Sequence, residues 1–390
     1  MCKLDEALLR YEEKNYGKAY ALFKECHQEE GKKENFTRYY SFKYIKTIYE
    51  TKIKNLKDLD IETQKDIIYI LKNLQKKDLF YKLTIFKVVE FLEKENNPNW
   101  DKILVWLKKL DIDYLSLEKP IYEVEGKKIE LPSELEKYFS RITKIYEKEK
   151  DYENLYSSCQ EALNKIKEFT NNSDVWIKRR LAMCYSNDEN YQEALRLYKE
   201  ILISKKDWYL YREIGELYWK LENKQDAILN YFEAFTKSND LSKISNLLHQ
   251  IIDHLDDDIE NKRKFLLLDL ALKKEKNLDF SINEYKEFNI TEEDIDKINT
   301  EKYFKNLRNE ISDLKLSYQD RKQGTVVTVN ERYCFIESEG NRYFCQVKEF
   351  PKRITVERGL NVEFSLVESF DKKKNQASYQ AKDIRVLEVK

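Results

Sequence analysis

Between Gly215 and Gly324 the chain contains no glycine and no proline. A stretch of that length favours helices joined by short polar connections. The whole chain is poor in both residues, with 7 Gly and 4 Pro among 390 residues, so few tight turns can form. Three of the glycines, Gly324, Gly340 and Gly359, fall in the last 67 residues, which marks a change of architecture there.

The length sets two or three domains as the default. Hydrophobic residues make up 41% of the chain and charged residues 37%, enough apolar material for a core but much charge for a compact globule. The formal net charge of −1 excludes a general polycation. Residues 322–390 hold 13 Lys/Arg and 10 Asp/Glu, a net of +3, which leaves −4 for residues 1–321. That asymmetry is mild. Six cysteines, at 2, 26, 159, 184, 334 and 345, form no CxxC pair and stand beside only 3 His, against a structural zinc site. No apolar run approaches the roughly 20 residues that span a bilayer, and Met1-Cys-Lys-Leu-Asp-Glu leads straight into an amphipathic pattern. The expectation is a reduced, cytoplasmic protein, without membrane partners, whose thiols act as small apolar residues. His249 and His254 lie near Asp253 and Asp256–Asp258. Such widely spaced histidines on a charged helix read as a solvated face, and no metal or other cofactor is expected.

A repeat is visible in the helical part. Leu181-Ala182-Met-Cys-Tyr185 is followed by Tyr191, Ala194, Tyr198 and Ile201, and Ile214-Gly215-Glu-Leu-Tyr218 by Ala227, Tyr231 and Ala234, with matching positions 33 residues apart. About 39 residues upstream, Ile142 to Tyr146, Tyr152, Leu155, Cys159 and Ala162 keep the same order, and Ala7, Tyr16, Ala19 and Phe23 repeat it at the N-terminus. Periods of this size signify stacked helical hairpins, each unable to bury its apolar face alone. Small residues at 182, 194, 215, 227 and 234 let backbones approach, and rings at 185, 198, 218 and 231 fill the grooves between hairpins. The pattern resembles the tetratricopeptide repeat, well over 175–241, fairly over 136–174 and 1–34; the alternative is a generic helical bundle.

Residues 35–110 continue with helical stripes such as Phe36, Tyr40, Tyr44 and Ile48. Residues 116–133 break the pattern: two prolines flank the runs Ile121–Val124 and Lys128–Leu131 around Glu-Gly-Lys, which predicts a short β-hairpin serving as hinge, flap or connector. Helices resume from 241 to about 318; Phe265–Leu272 reads as a buried helix, and Thr291-Glu-Glu-Asp294 as a helix start.

From Gln323 the pattern becomes that of strands: Thr325–Val329, Tyr333–Glu337, Tyr343–Val347, Asn361–Val367 and Ala377–Val389, with a Glu-Gly-Asn turn and a Lys-rich turn between them. Five short strands at this spacing predict a small closed barrel. Alternation along a strand puts Cys334, Ile336, Cys345 and Val347 inside and leaves Tyr333, Phe335 and Phe344 together outside. Nucleobases stack on exposed rings of this kind, and Arg332, Arg342 and Lys372, Lys373 and Lys374 are placed to meet phosphates.

These strands resemble a cold-shock domain, an oligonucleotide-binding barrel. Its first RNA-binding motif is similar to Arg332-Tyr-Cys-Phe-Ile336 and its second to Tyr343-Phe-Cys-Gln346. The resemblance implies base stacking on Tyr333, Phe335 and Phe344, with Gln346 where the family usually has His. The chain departs from the family at Thr328-Val329, where a Trp-Phe pair is usual, and at Arg332 and Cys334, which replace motif glycines. Fewer rings imply weaker or shorter-footprint binding.

In the repeats, Arg141, Lys144, Arg179, Arg180 and Arg212 fall at or beside positions that face the concave groove of tetratricopeptide proteins. Such a ladder suits an acidic peptide, a terminal carboxylate or an RNA backbone. With 72 Asp and Glu in the chain, pairing with acids of adjacent helices is the favoured alternative. No Gly-rich phosphate loop, Gly-x-Ser-x-Gly elbow or His-Glu-x-x-His motif occurs, so no enzymatic activity is expected.

The expected architecture is mainly α: N-terminal helical hairpins over 1–115, an inserted β-hairpin or connector over 116–133, tetratricopeptide-like repeats and closing helices over 134–320, and a five-stranded cold-shock-like barrel over 322–390. The function expected of it is a non-enzymatic adaptor, the barrel holding single-stranded RNA or DNA and the repeats holding a protein or peptide. The alternative is a protein scaffold with a structural barrel. The Lys-, Asn-, Ile- and Tyr-rich composition points to a low-GC, bacterial genome, and the pairing of the two resembled families to a bacterial conflict system.

Overall fold

The computed structural model describes residues 2–29, 37–255, 258–318, 321–351, 354–371 and 376–387. Its fold is mainly α, a tetratricopeptide-like array of helical hairpins followed by a closed five-stranded barrel. The chain divides into two compact units, Met1–Leu197 and Tyr198–Lys390. The division falls within the repeats, whereas the sequence pattern sets its boundaries at the inserted hairpin and at the start of the barrel.

The first unit contains α1 (Lys3–Glu12), α2 (Tyr16–Glu29), α3 (Arg38–Ile48), α4 (Ile61–Asn73), α5 (Leu79–Leu92) and α6 (Trp100–Leu107). A hairpin of β1 (Ile121–Val124) and β2 (Lys127–Glu130) follows, then α7 (Glu134–Glu149), α8 (Tyr152–Lys165), α9 (Asp174–Asn187) and α10 (Tyr191–Ser204), in whose course the division lies. Ala7, Ala19, Phe23, Ile142, Leu155, Cys159, Ala162, Ala182 and Ala194 are buried, as the repeat requires. Of the stripe in α3, Tyr44 and Ile48 are buried, and Phe36 lies outside the described residues.

A second repeat runs through the turns. Lys14, Lys150, Glu189 and Glu222 all take left-handed backbone, with φ of 58°, 56°, 58° and 59°. In each case the next residue, Asn15, Asp151, Asn190 or Asn223, donates its N–H to the carbonyl five residues back. That residue's side-chain oxygen then accepts an N–H of the following helix. One helix is closed and the next capped by two adjacent residues.

The second unit begins with α11 (Trp208–Lys220), α12 (Lys224–Lys237), α13 (Ser245–His254), α14 (Ile259–Glu275), α15 (Glu292–Asp296) and α16 (Thr300–Tyr318). Phe265 through Leu272 are all buried in α14, including Asp269, whose carboxylate takes Lys273 at 2.8 Å and His249 at 3.1 Å. Thr291 and Asp294 form the reciprocal cap that starts α15. His254 stacks on Trp219 with centroids 3.6 Å apart, so the two histidines face different partners. Asp256 and Asp257 lie outside the described residues.

The barrel is built from β3 (Arg321–Val329), β4 (Tyr333–Ser338), β5 (Asn341–Gln346), β6 (Asn361–Asp371) and β7 (Gln376–Val386), closed in the order β3-β4-β5-β7-β6. Its core of Val326, Cys334, Ile336, Cys345, Phe350, Val362, Phe364, Ala381 and Ile384 is separate from that of α12–α16. Gly324 sits where β3 crosses the core edge: a Cβ there would lie 2.5 Å from the Glu337 carbonyl oxygen. Arg321 ties the closure, donating from Nε to Glu363 at 2.7 Å and from Nη2 to the Asp383 carbonyl at 2.8 Å.

Two details differ from the sequence reading. Both hairpin turns are two-residue, Glu125-Gly126 and Glu339-Gly340, with positive φ at both positions (51° and 76°; 52° and 77°). That geometry matches the twist of the flanking strands, and it starts β2 at Lys127 rather than Lys128. Val347 does not enter the barrel core. The chain leaves β5 in a 3-10 turn over Val347–Glu349, which ends the alternation and puts Phe350 inside instead.

Candidate nucleic-acid interface

The candidate interface lies on the β4–β5 hairpin. Its register pairs Tyr333 with Gln346, Cys334 with Cys345, Phe335 with Phe344 and Glu337 with Arg342. Paired residues share a face, so burial of Cys334, Ile336 and Cys345 turns Tyr333, Phe335 and Phe344 outward together. Tyr333 is 38% exposed and the two phenylalanines are half-buried.

The three rings form one cluster. Tyr333 stacks on Phe344 with centroids 5.6 Å apart and planes 28° from parallel, while Phe335 stands edge-on to Tyr333 at 5.9 Å and to Phe344 at 6.0 Å. Edge-to-face and offset contacts of this kind hold aromatic groups in place, so the cluster is preorganised rather than floppy. Thr328, exposed, lies across from Phe335, and Gln380 across from Phe344. Polar residues thus flank the rings in the directions where another ring is absent. Behind them, burial and its hydrogen bond with Cys334, the larger cause, push the Cys345 thiol up.

Charges bracket the cluster unevenly. Arg332 is exposed immediately before Tyr333, with its carbonyl fixed by the Val347 N–H at 3.1 Å. Arg342, at the other end, donates from Nε to Glu337 at 3.0 Å. Gln346 lies half-buried beside Tyr333. Lys372, Lys373 and Lys374 lie outside the described residues.

The basic residues of the repeats are engaged within the helices. Arg141 donates from Nε to Glu93 at 3.1 Å, and Lys144 lies 5.4 Å above the Trp100 ring. Arg179 and Arg180 share Glu147, at 2.9 and 2.7 Å, and Arg180 also reaches Thr143 Oγ1 at 3.3 Å. Burial raises Glu147, but the two guanidiniums outweigh it and hold the carboxyl below its ordinary value. In the second unit Arg212 lies 3.7 Å from Glu216. The four arginines thus lie against carboxylates of the helices and Lys144 over a ring.

A polar cluster in the first unit has no sequence signature. Tyr20 donates to one of Glu62 and Asp66, lying 2.8 and 2.7 Å from their oxygens, and Lys24 meets Glu62 at 2.7 Å. Lys24, Glu62 and Asp66 line a cleft of about 370 Å³ with His27, Tyr44 and Tyr69. Its members come from α2, α3 and α4, 42 or 46 residues apart for the bonded pairs, and no local motif joins them. Among the described residues no group of three potential metal ligands occurs, and no helix is long and apolar enough to cross a membrane.

No curated protein matches the sequence. Solved structures similar to it include a tetratricopeptide repeat protein from Parabacteroides merdae, 14% identical, with 73% of this chain and 95% of that one covered at a TM-score of 0.32. The quorum sensor NprR from B. thuringiensis, in its apo form, is 15% identical over 81% of this chain and 97% of its own, with a TM-score of 0.38. The human IFIT1 dimer with PPP-AAAA is 12% identical over 77% and 69%, with a TM-score of 0.31. Within the sequence itself, a tetratricopeptide repeat family model matches residues 179–207, the segment from the middle of α9 through α10, and there the chain is similar to that family.

Proposed function

We propose that the chain is a non-enzymatic adaptor whose barrel holds a short single-stranded nucleic acid, RNA in the first instance, and whose helical repeats hold a protein. The observation that carries the reading is the cluster of Tyr333, Phe335 and Phe344, three rings within 6.0 Å of one another on the outer face of two neighbouring strands. Every base has a face that stacks on such rings, which gives sequence-tolerant affinity. Arg332 supplies a cation at the end where the rings are most open, and Arg342 a second once it exchanges Glu337 for a phosphate. Stacked helical repeats present extended surfaces for protein recognition. Foreign or damaged RNA in a bacterial conflict system is the setting that the family resemblance supplies.

The test is a fluorescence titration of the full chain with short single-stranded RNA and DNA at low and moderate salt. Saturable binding that weakens with salt, and is lost in a Phe335→Ala Phe344→Ala variant of unchanged circular dichroism, supports the reading. Equal signals from variant and parent would overturn it in favour of a purely structural barrel.

A further inference from the structure

The hairpin of β1 and β2 is the most exposed element of the first unit: none of its eight strand residues is buried. Its register pairs Tyr122 with Ile129 and Val124 with Lys127 on one face, and Ile121 with Glu130 and Glu123 with Lys128 on the other. The first face is apolar and in water, with Tyr122 58%, Val124 52% and Ile129 45% exposed. A two-stranded hairpin is marginal by itself, and both of its edges offer unpaired backbone groups.

The direction of those backbone groups follows from one bond. The Leu131 N–H donates to the Pro120 carbonyl at 2.8 Å, so residues 120 and 131 form a bonded pair. Bonded and non-bonded pairs alternate along an antiparallel ladder. Tyr122 with Ile129 and Val124 with Lys127 are therefore bonded inward, and the N–H and C=O groups of Lys128 and Glu130 point outward from the free edge of β2.

That edge is complementary to itself. When β2 is laid antiparallel on β2 of a second copy about a two-fold axis at Ile129, Lys128 falls opposite Glu130 of the second copy, and Glu130 opposite its Lys128. These are the positions whose backbone groups point outward, so the main-chain bonds and the opposite charges coincide. Ile129 meets Ile129 of the second copy on the apolar face, and Tyr122 and Val124 from both copies extend it into one four-stranded sheet. Lys119 Nζ holds Glu130 Oε2 at 3.3 Å, which fixes the carboxylate at the edge. The β1 edge lacks this match, because its outward residues, Ile121 and Glu123, would oppose each other.

We propose that this edge is a homodimerisation surface, a two-fold strand-to-strand contact between β2 and β2 of a second copy. The contact is isologous and closes after two copies.

Sedimentation velocity of the full chain from about 1 to 100 μM tests it. The parent should pass from monomer to dimer within that range. Lys128→Glu and Glu130→Lys each set like charges opposite one another, and each should weaken the dimer about tenfold or more. The Lys128→Glu Glu130→Lys double variant restores opposite charges and should return to within about threefold of the parent. Ile129→Lys places two ammoniums at the axis and should abolish association. A parent that stays monomeric, single variants that dimerise like the parent, or a double variant as weak as the singles would each overturn the proposal. The hairpin contributes nothing to the buried core, so helical circular dichroism should be the same for every variant.

Discussion

Tyr231 occupies the space beside Gly215 so closely that a Cβ on Gly215 would lie 2.6 Å from the Tyr231 ring and 3.1 Å from the Ala227 carbonyl oxygen. The small residue on α11 and the ring on α12 are two halves of one contact, and this is what the small–ring alternation of the repeat means in atoms. Gly215→Ala should therefore destabilise the second unit. Alanine's better helix propensity, about 1 kcal/mol, is set against overpacking of about 1–3 kcal/mol. Urea unfolding should show a net loss, and Tyr231→Leu in the same chain should return part of it. A net gain from Gly215→Ala alone would mean that the two helices separate without cost.

Glu337 and Arg342 set the electrostatics of the ring cluster. Their ion pair, 3.0 Å across two exposed side chains, keeps a carboxylate on the face where phosphates would pass. Glu337→Gln should tighten oligonucleotide binding at low salt and steepen its salt dependence, because Arg342 is released to a phosphate. Arg332→Gln should weaken binding and lower the salt slope by about one. Titrations at three salt concentrations check both. If Glu337→Gln left affinity and slope unchanged, the nucleic acid would not pass Arg342.

What could be read from the sequence follows from the range of the interactions. Alternation is local, so the outward set Tyr333, Phe335 and Phe344 and the inward set Cys334, Ile336 and Cys345 are legible before any coordinates. It fails at Val347 because a 3-10 turn interrupts the period there. The burial of Ala182, Ala194, Ala227 and Ala234 is legible for the same local reason. The pairs Lys14-Asn15, Lys150-Asp151, Glu189-Asn190 and Glu222-Asn223 were there to be read as well, but a Lys or Glu in left-handed backbone carries no residue-type signal, unlike glycine. Glu147 lies 32 and 33 residues from Arg179 and Arg180, a separation at which any of many acids would serve equally well on paper.

Glu147 gives the stack an acid-sensitive joint. Its folded pKa is below the ordinary 4.5, so its contribution is fully present above that value and is lost as pH falls through the lowered one. Glu147→Gln leaves two guanidiniums facing a neutral amide, and both arginines are largely shielded from water. The variant should be about 2–3 kcal/mol less stable than the parent near pH 7. That difference should shrink as pH falls through the lowered value, below which the parent's carboxyl is also neutral. Urea titrations across a descending pH series measure it. A gap that stays constant with pH would assign the loss to packing rather than to charge.

Gly324 links the barrel's stability to its ring face. A Cβ added at Gly324 would lie 2.5 Å from the Glu337 carbonyl oxygen and 2.9 Å from the Ile336 Cγ2, both on the strand that carries Tyr333 and Phe335. A backbone oxygen cannot rotate away as a side chain can, so Gly324→Ala must shift β4 or strain β3, at about 3 kcal/mol or more. The cores of α12–α16 and of the barrel are separate sets of residues. The variant should accordingly keep the parent's helical circular dichroism while its barrel melts at a lower temperature, reported by cysteine accessibility of Cys334 and Cys345, both fully buried in the parent. Oligonucleotide binding should fall with the barrel. Retained binding alongside freely reacting thiols would show that nucleic acid is held somewhere other than on β4 and β5.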